Sequence, residues 1–177
     1  MEKEDLARLF RAYADDVFRL AYSYLGSRAD AEDVCQTVFL CLAEGRGTPQ
    51  EGKEKAFLLT CTANACKNHL RSFWRRNVGE LDETIPFQEA QDRALHDAVR
   101  GLPPKYRAVV HLYYFEGYDQ KEIGEILKIS LSTVQTRMLR ARTLLKKELI
   151  GDEAGVPAHD GADQAHRRRK GAYYGKY

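Results

Sequence analysis

Along the first 25 positions the apolar residues Leu6, Leu9, Phe10, Tyr13, Val17, Leu20, Ala21 and Tyr24 recur at steps of three and four, until Gly26 interrupts the run. That period predicts one or two consecutive amphipathic helices. Ser27, with Asp30 three residues on, has the chemistry of an N-cap followed by an acid in the first turn. It opens a second helix with Val34, Val38, Phe39 and Leu42 on its buried side and a polar opposite face. Gly45, Gly47, Pro49 and Gly52 then make helix continuation too costly, which predicts a surface loop over 44–52. A third helix is expected from about Glu54 to Arg76.

From Asn77 to about Glu89 no helical period is sustained, and Gly79, Glu80, Asp82, Glu83 and Pro86 mark an acidic linker. The pattern resumes through Ala94, Leu95, Ala98 and Val99, breaks at Gly101, and restarts at Pro103 and Pro104, residues suited to a first helical turn. Tyr106, Val109, Val110, Leu112 and Tyr113 should face a core. Asp119 and Glu122 have the spacing of a capping box before Ile123 and Ile126, and a tight turn is expected at 128–130. A last helix, capped by Ser130 or Ser132, runs to about Leu149 with Val134, Met138, Leu139, Leu144 and Leu145 among its apolar positions. No strand pattern competes. The expected fold class is all-α, two small helical domains joined by a flexible linker, with 1–76 as the first, 77–90 as the linker and 91–150 as the second. Residues 151–177, rich in Gly, Ala and Asp and ending in a basic, Tyr-containing cluster, are expected to be a disordered tail.

At 177 residues, 44% hydrophobic, the chain has material for one modest core or two small ones. A formal net charge of +2 is too mild to indicate a nucleic-acid partner, so the distribution of charge has to carry that reading. The four cysteines, Cys35, Cys41, Cys61 and Cys66, form no CxxC pair and lie in helical stretches, which suits small buried hydrophobes in a reducing compartment. Cys61, Cys66 and His69 have no common zinc-site spacing and would not converge on one ion from a single helix. No metal or cofactor is expected. No apolar run approaches a membrane span and the first residues lack a signal-peptide pattern, so a cytoplasmic location without membrane insertion is expected.

Tyr118 to Lys147 has the layout of a helix-turn-helix: a short capped helix, a turn, and a longer helix rich in basic residues. In that second helix Arg137, Arg140, Arg142, Lys146 and Lys147 are unopposed by an acid before Glu148, and Ser132, Thr133, Gln135 and Thr136 supply neutral hydrogen-bonding groups near its start. N-terminal positions of such a helix reach base edges while flanking cations neutralise phosphates. Gln135 is the best-placed base reader. An isolated basic run is more often a solvated helix face, and it is the capped helix and turn ahead of it that favour DNA. A second cluster, Asn64, Lys67, Asn68, His69, Arg71, Phe73, Trp74, Arg75 and Arg76, mixes cations with stacking aromatics and suits single-stranded DNA; packing of the aromatics under Arg stems would use the same residues.

These segments, in this order, resemble the extracytoplasmic-function (ECF) group of the sigma-70 family, which has two conserved domains, region 2 and region 4. Asp30 to Leu40 is similar to the AED-x-x-Q-x-x-F signature of region 2.2. Phe57-Leu58 with Asn64 is similar to a W-L-x-x-x-x-x-N pattern, Phe standing in place of Trp. Leu102-Pro103-Pro104 with Phe115-Glu116-Gly117-Tyr118 resembles region 4.1, and Ile123 to Arg137 resembles the region 4.2 helix-turn-helix. The resemblance implies a non-catalytic specificity subunit that directs promoter-specific initiation. It implies as partners core RNA polymerase, through the largest-subunit clamp coiled coil and the flap region, promoter DNA, and an anti-sigma factor. Glu32, Asp33, Gln36 and Phe39 would meet the polymerase. Asn64, Lys67, Asn68, Arg71, Trp74, Arg75 and Arg76 would meet the minus-10 strand, and Ser132, Thr133, Gln135, Thr136, Arg137, Arg140 and Arg142 the minus-35 duplex. Asn68 in place of a frequent Asp, and Gln135-Thr136 in place of a basic residue and Ser, point to a base preference of this chain's own.

Competing readings are a polymerase-independent regulator with the same basic helix and a scaffold built from amphipathic helices. The basic helix argues against the second. The chain carries no P-loop, HExxH or nucleophile triad pattern, which argues against an enzyme.

Overall fold

The computed structural model describes residues 3–76 and 97–150, with only the backbone of 73–76 and 150; the expected linker, the helical start at Ala94 and Leu95, and the C-terminal tail lie outside the described residues. Three long helices come first: α1 (Lys3–Leu25), α2 (Arg28–Ala43) and α3 (Glu54–Arg76). After a helical stretch over 97–101 come α4 (Pro104–Val110), a π-helical turn over His111–Phe115, α5 (Gln120–Leu127) and α6 (Leu131–Ile150). Among the described residues there is no strand, in line with the all-helical, two-domain organisation expected from sequence.

Local chemistry accounts for the boundaries. The first apolar run folds as one continuous helix. Gly26, at φ 72°, ends it, and the Ser27 hydroxyl then accepts from the Asp30 backbone N–H at 3.3 Å to start α2. Gly47, at φ 114°, sits so close to the Phe57 ring that a Cβ would come within 2.9 Å of it, which lets the 44–53 loop fold over the start of α3. Pro104 occupies the first turn of α4. The Asp119 carboxylate accepts from Glu122 N and the Glu122 carboxylate from Asp119 N, both at 2.8 Å, completing the capping box of α5. Ser130, not Ser132, caps α6, accepting from Thr133 N at 3.2 Å. Between α5 and α6, Gly124 lies where a Cβ would stand 3.0 Å from the Ile129 carbonyl oxygen, so a side chain there would have to push the tight turn aside.

Leu9, Val17, Leu20, Val38, Leu58 and Leu59 from α1 to α3 form one apolar core with Val109, Leu112, Ile123, Leu127, Val134 and Met138 from the second module. Two modules separated by a linker in sequence are thus packed against each other. Cys66 lies inside this core, where burial pushes its thiol up to about 12, and all four cysteines are free. A thiol so placed is inert at neutral pH.

Charged side chains cross the seam. Glu116, with 1% of its side chain exposed, lies 2.7 Å from the Lys55 ammonium and 3.7 Å from Arg19. It also meets His111 at 3.2 Å. Lys55 in turn reaches Asp16 at 3.2 Å, and Arg19 pairs with Asp16. The buried Arg107 guanidinium donates to the Tyr24 carbonyl of α1 and to the Arg100 carbonyl, each at 3.1 Å. The Lys67 ammonium of α3 donates to the Leu127 carbonyl at 2.7 Å, satisfying the end of α5 from the other module.

Burial alone would raise the Glu116 pKa, but the hydrogen bonds and charges of His111 and Lys55 outweigh it and hold the carboxyl at about 2, below its ordinary 4.5. A depressed folded-state pKa adds stability that is full above the unfolded value and is lost as pH falls through the folded value. The thermal-stability advantage of the wild type over Glu116→Gln should therefore shrink as pH is lowered from about 5 to about 2, across the Glu116 range; a gap that does not change with pH contradicts this. Asp119→Ala, which removes the cap of α5, should cost about 1 kcal/mol in urea unfolding, and a loss of zero would show that the cap contributes nothing.

Candidate polymerase and nucleic-acid interfaces

Glu32, Asp33 and Gln36 are exposed on α2, with Glu32 accepting from Arg28 at 2.8 Å. Phe39 is only 7% exposed, because its ring packs edge-on against Phe10 of α1 with centroids 4.9 Å apart. The apolar area expected of Phe39 is instead offered by Phe10 and Leu40, 50% and 60% exposed. Together with Leu6, Gln36 and Phe39 they line a groove of about 470 Å³ between the start of α1 and the end of α2. Sequence periodicity placed Phe10 on the buried stripe, and it missed that α2 covers only one edge of that ring.

On α3 the residues Asn64, Lys67, Asn68 and Arg71 fall at positions i, i+3, i+4 and i+7, a single face. Asn64, Asn68 and Arg71 are exposed, while Lys67 is half-buried by its bond to Leu127. Burial, and then the charges of Arg137 and Arg71, lower the Lys67 pKa, which sets a residue of the recognition helix close to the proposed strand-binding face. The side chains of Phe73, Trp74, Arg75 and Arg76 lie outside the described residues.

The helix-turn-helix is formed by α5, the turn at 128–130 and α6. Val134, Met138 and Ala141 are buried and fix the rotation of α6 about its axis, which leaves Ser132, Gln135, Thr136 and Arg140 exposed and Thr133, Arg137 and Arg142 half-buried. Leu139 and Leu144, read from sequence as apolar positions of this helix, are 59% and 41% exposed. The seven residues do not form one cluster. Ser132, Thr133, Thr136, Arg137 and Arg140 line a recess of about 230 Å³ together with Lys105 and Tyr106 at the start of α4. Arg142 points elsewhere, its guanidinium 5.9 Å over the Tyr113 ring and donating to the Tyr114 hydroxyl at 3.3 Å. Gln135 does not line the recess and lies on the Arg142 side of the helix.

Lys105 and Tyr106 were not singled out from sequence. Their position beside Pro103 and Pro104 marks a helix start and carries no sign that α6 lies across from it. In the recess the Lys105 ammonium lies 5.1 Å from the centre of the Tyr106 ring, and a hydrogen bond from Arg140, followed by the nearby positive charges, lowers the Tyr106 phenol pKa. Three cations and four hydroxyl-bearing side chains, with no acid among the lining residues, make an anion-accepting concavity.

Comparison with known proteins fits this organisation. Residues 9–76 match Sigma-70 region 2, and residues 92–145 match Sigma-70, region 4. The chain is 33% identical over 154 residues to an ECF RNA polymerase sigma factor, SigE, of Mycolicibacterium smegmatis, an alignment that covers 80% of this chain and 60% of that protein's length. It is 31% identical over 156 residues to the RNA polymerase sigma factor CarQ of Myxococcus xanthus, with 81% of this chain and 88% of CarQ covered. Among solved structures it is similar in fold to the sigma factor RpoE of Bartonella quintana, crystallised with the anti-sigma factor NepR, at a TM-score of 0.69 and 21% identity, over 84% of this chain and 99% of that one. With both conserved regions present in order and a relative matched over most of its length, the chain belongs to the sigma-70 family of RNA polymerase sigma factors, in the ECF group.

Proposed function

We propose that the chain binds core RNA polymerase and directs promoter-specific initiation as a non-catalytic subunit, with α6 reading duplex DNA at the minus-35 element and the end of α3 capturing the minus-10 strand. The observation that carries this reading is the basic recess joining α4 to the exposed start of α6. A phosphate seated between Lys105, Arg137 and Arg140 fixes the helix against the duplex, and Gln135 and Thr136 then face base edges. Phosphate contacts set position and affinity, and base contacts set sequence.

The module division follows: 1–76 for polymerase and strand capture, 91–150 for the duplex, with 77–90 as tether. Glu32, Asp33 and Gln36 present carboxylates and an amide to a basic partner surface such as the clamp coiled coil, and the Phe10–Leu40 groove adds desolvated apolar area beside them. Opening the minus-10 base pairs costs a few kcal/mol, which stacking at about 1 to 3 kcal/mol per base offsets. A flap contact by the second module, an anti-sigma partner and a cytoplasmic location complete the proposal.

Run-off transcription with purified core polymerase over a promoter library tests it: this chain should confer initiation at defined sites. Binding to DNA without polymerase, and no initiation with it, would favour the polymerase-independent regulator instead. Asp33→Ala should weaken association with core polymerase, and unchanged affinity would remove α2 from the docking face. Gln135→Ala should shift the promoter profile. Lys105→Ala should lower duplex affinity evenly across sequences and reduce the salt slope by about 0.9, as expected for one lost phosphate contact; an altered sequence preference with an unchanged slope would contradict the assignment of Lys105 to phosphate.

A further inference from the structure

Leu139 is 59% exposed on a helix whose buried side is made by other residues. Val134, Met138 and Ala141 face the core, and Leu139, one position after Met138, is turned about 100° away from it. Ser132, Gln135, Thr136 and Leu139 stand at positions i, i+3, i+4 and i+7, a single stripe of α6, and all four are exposed. Arg140 borders this stripe on the side of the recess, and Arg142, held toward Tyr114, borders it on the other. The stripe is polar over its first two turns and then presents an isobutyl group with a cation to either side.

A lone exposed leucine is common on protein surfaces and by itself signals nothing. Its neighbours decide here. The residues three and four positions away along the helix, Gln135, Thr136, Arg142 and Thr143, are all polar. Along α6, Leu139 thus does not extend into the contiguous apolar patch that a protein partner would cover. One isobutyl group among hydrogen-bonding and cationic side chains fits a single apolar group set among polar edges. The major groove of duplex DNA displays such a group in the C5 methyl of thymine.

Resting on the reading of α6 as the helix that enters the duplex, we propose that Leu139 is a specificity-determining residue of this chain, its isobutyl group packing on a thymine C5 methyl in the minus-35 element. Gln135 stands four residues before it, about 6 Å along the axis, against about 3.4 Å per base-pair step. The thymine lies within two base pairs of the pair that Gln135 reads. Over cytosine the same side chain would cover the N4 amino group and remove its water without returning a hydrogen bond. Over a purine it would do the same to the N7 acceptor. Leu139 selects one base, whereas the phosphate-binding cations select none.

The test uses the full chain assembled with core RNA polymerase, and as probe the promoter fragment from which it initiates most strongly in the library. Each thymine of the minus-35 block, on either strand, is replaced singly by deoxyuridine, which lacks the C5 methyl and keeps the same pairing with adenine. At one thymine, or two adjacent ones, the replacement should weaken binding by about fourfold, the factor for one buried methyl-sized group. Leu139→Ala, a change at an exposed position, should weaken binding to the thymine fragment by at least that factor and bind the thymine and deoxyuridine fragments alike. Leu139→Met, which keeps an apolar tip, should retain the difference between them. Wild-type binding indifferent to every replacement, a minus-35 block without thymine, or a Leu139→Ala variant that still distinguishes the two fragments overturns the proposal. In each of those cases the wild type still initiates at the promoter, whereas failure of the sigma-factor reading shows as no initiation with core polymerase.

Discussion

A carboxylate with 1% of its side chain exposed constrains everything packed around it, and in this chain that carboxylate is Glu116. It leaves water only because Lys55, 2.7 Å away, and Arg19 approach from a different module. The same few ångströms therefore decide whether the apolar faces of α1 and α3 are covered by α4 and α5 or by solvent. The apolar core continues through the seam, so hydrophobic burial supplies the drive for packing the modules together and the ion pair makes that packing specific. A purely apolar seam would tolerate several registers. A buried Glu held by Lys55 and Arg19 from the other module, with Arg107 and Lys67 each donating to a carbonyl across the seam, tolerates few.

That arrangement gives the protein's cations two uses. Lys67 terminates α5 across the seam and also lies on the α3 stripe proposed to meet the minus-10 strand. Arg137, whose charge acts on Lys67, also lines the recess proposed to seat a phosphate with Lys105 and Arg140. Nothing in the chemistry of a lysine or arginine distinguishes a backbone carbonyl from a phosphodiester except charge, and the phosphodiester has more of it.

Much of the fold was legible in the chain because its signals are local. Ser27, Gly26, Pro104 and the Asp119–Glu122 pair mark helix ends through groups three or four residues away, and the helical period marks the buried stripe. The motifs of the two regions were legible for the same reason, each being contained in a dozen residues. What could not be read is what joins positions far apart. Lys67 and Leu127 are 60 residues apart and Arg107 and Tyr24 83 apart, with no periodicity to connect them. The half-exposure of Phe10 depends on where α2 stops, and the partnership of Lys105 and Tyr106 with α6 depends on the crossing of two helices. The π-helical turn that carries His111 toward Glu116 is one residue wider than the α-helical pattern from which it continues, and the apolar positions around it give no sign of the insertion.

The central claim is that one tethered pair of helical modules holds two separated stretches of promoter DNA while mounted on the polymerase. Hydroxyl-radical footprinting of the chain with core polymerase on a promoter it activates tests this most directly. Two protected blocks centred roughly 25 base pairs, or about 85 Å, apart, both dependent on the chain, are the predicted result. Protection of a single block, or the same protection with core polymerase alone, would contradict it.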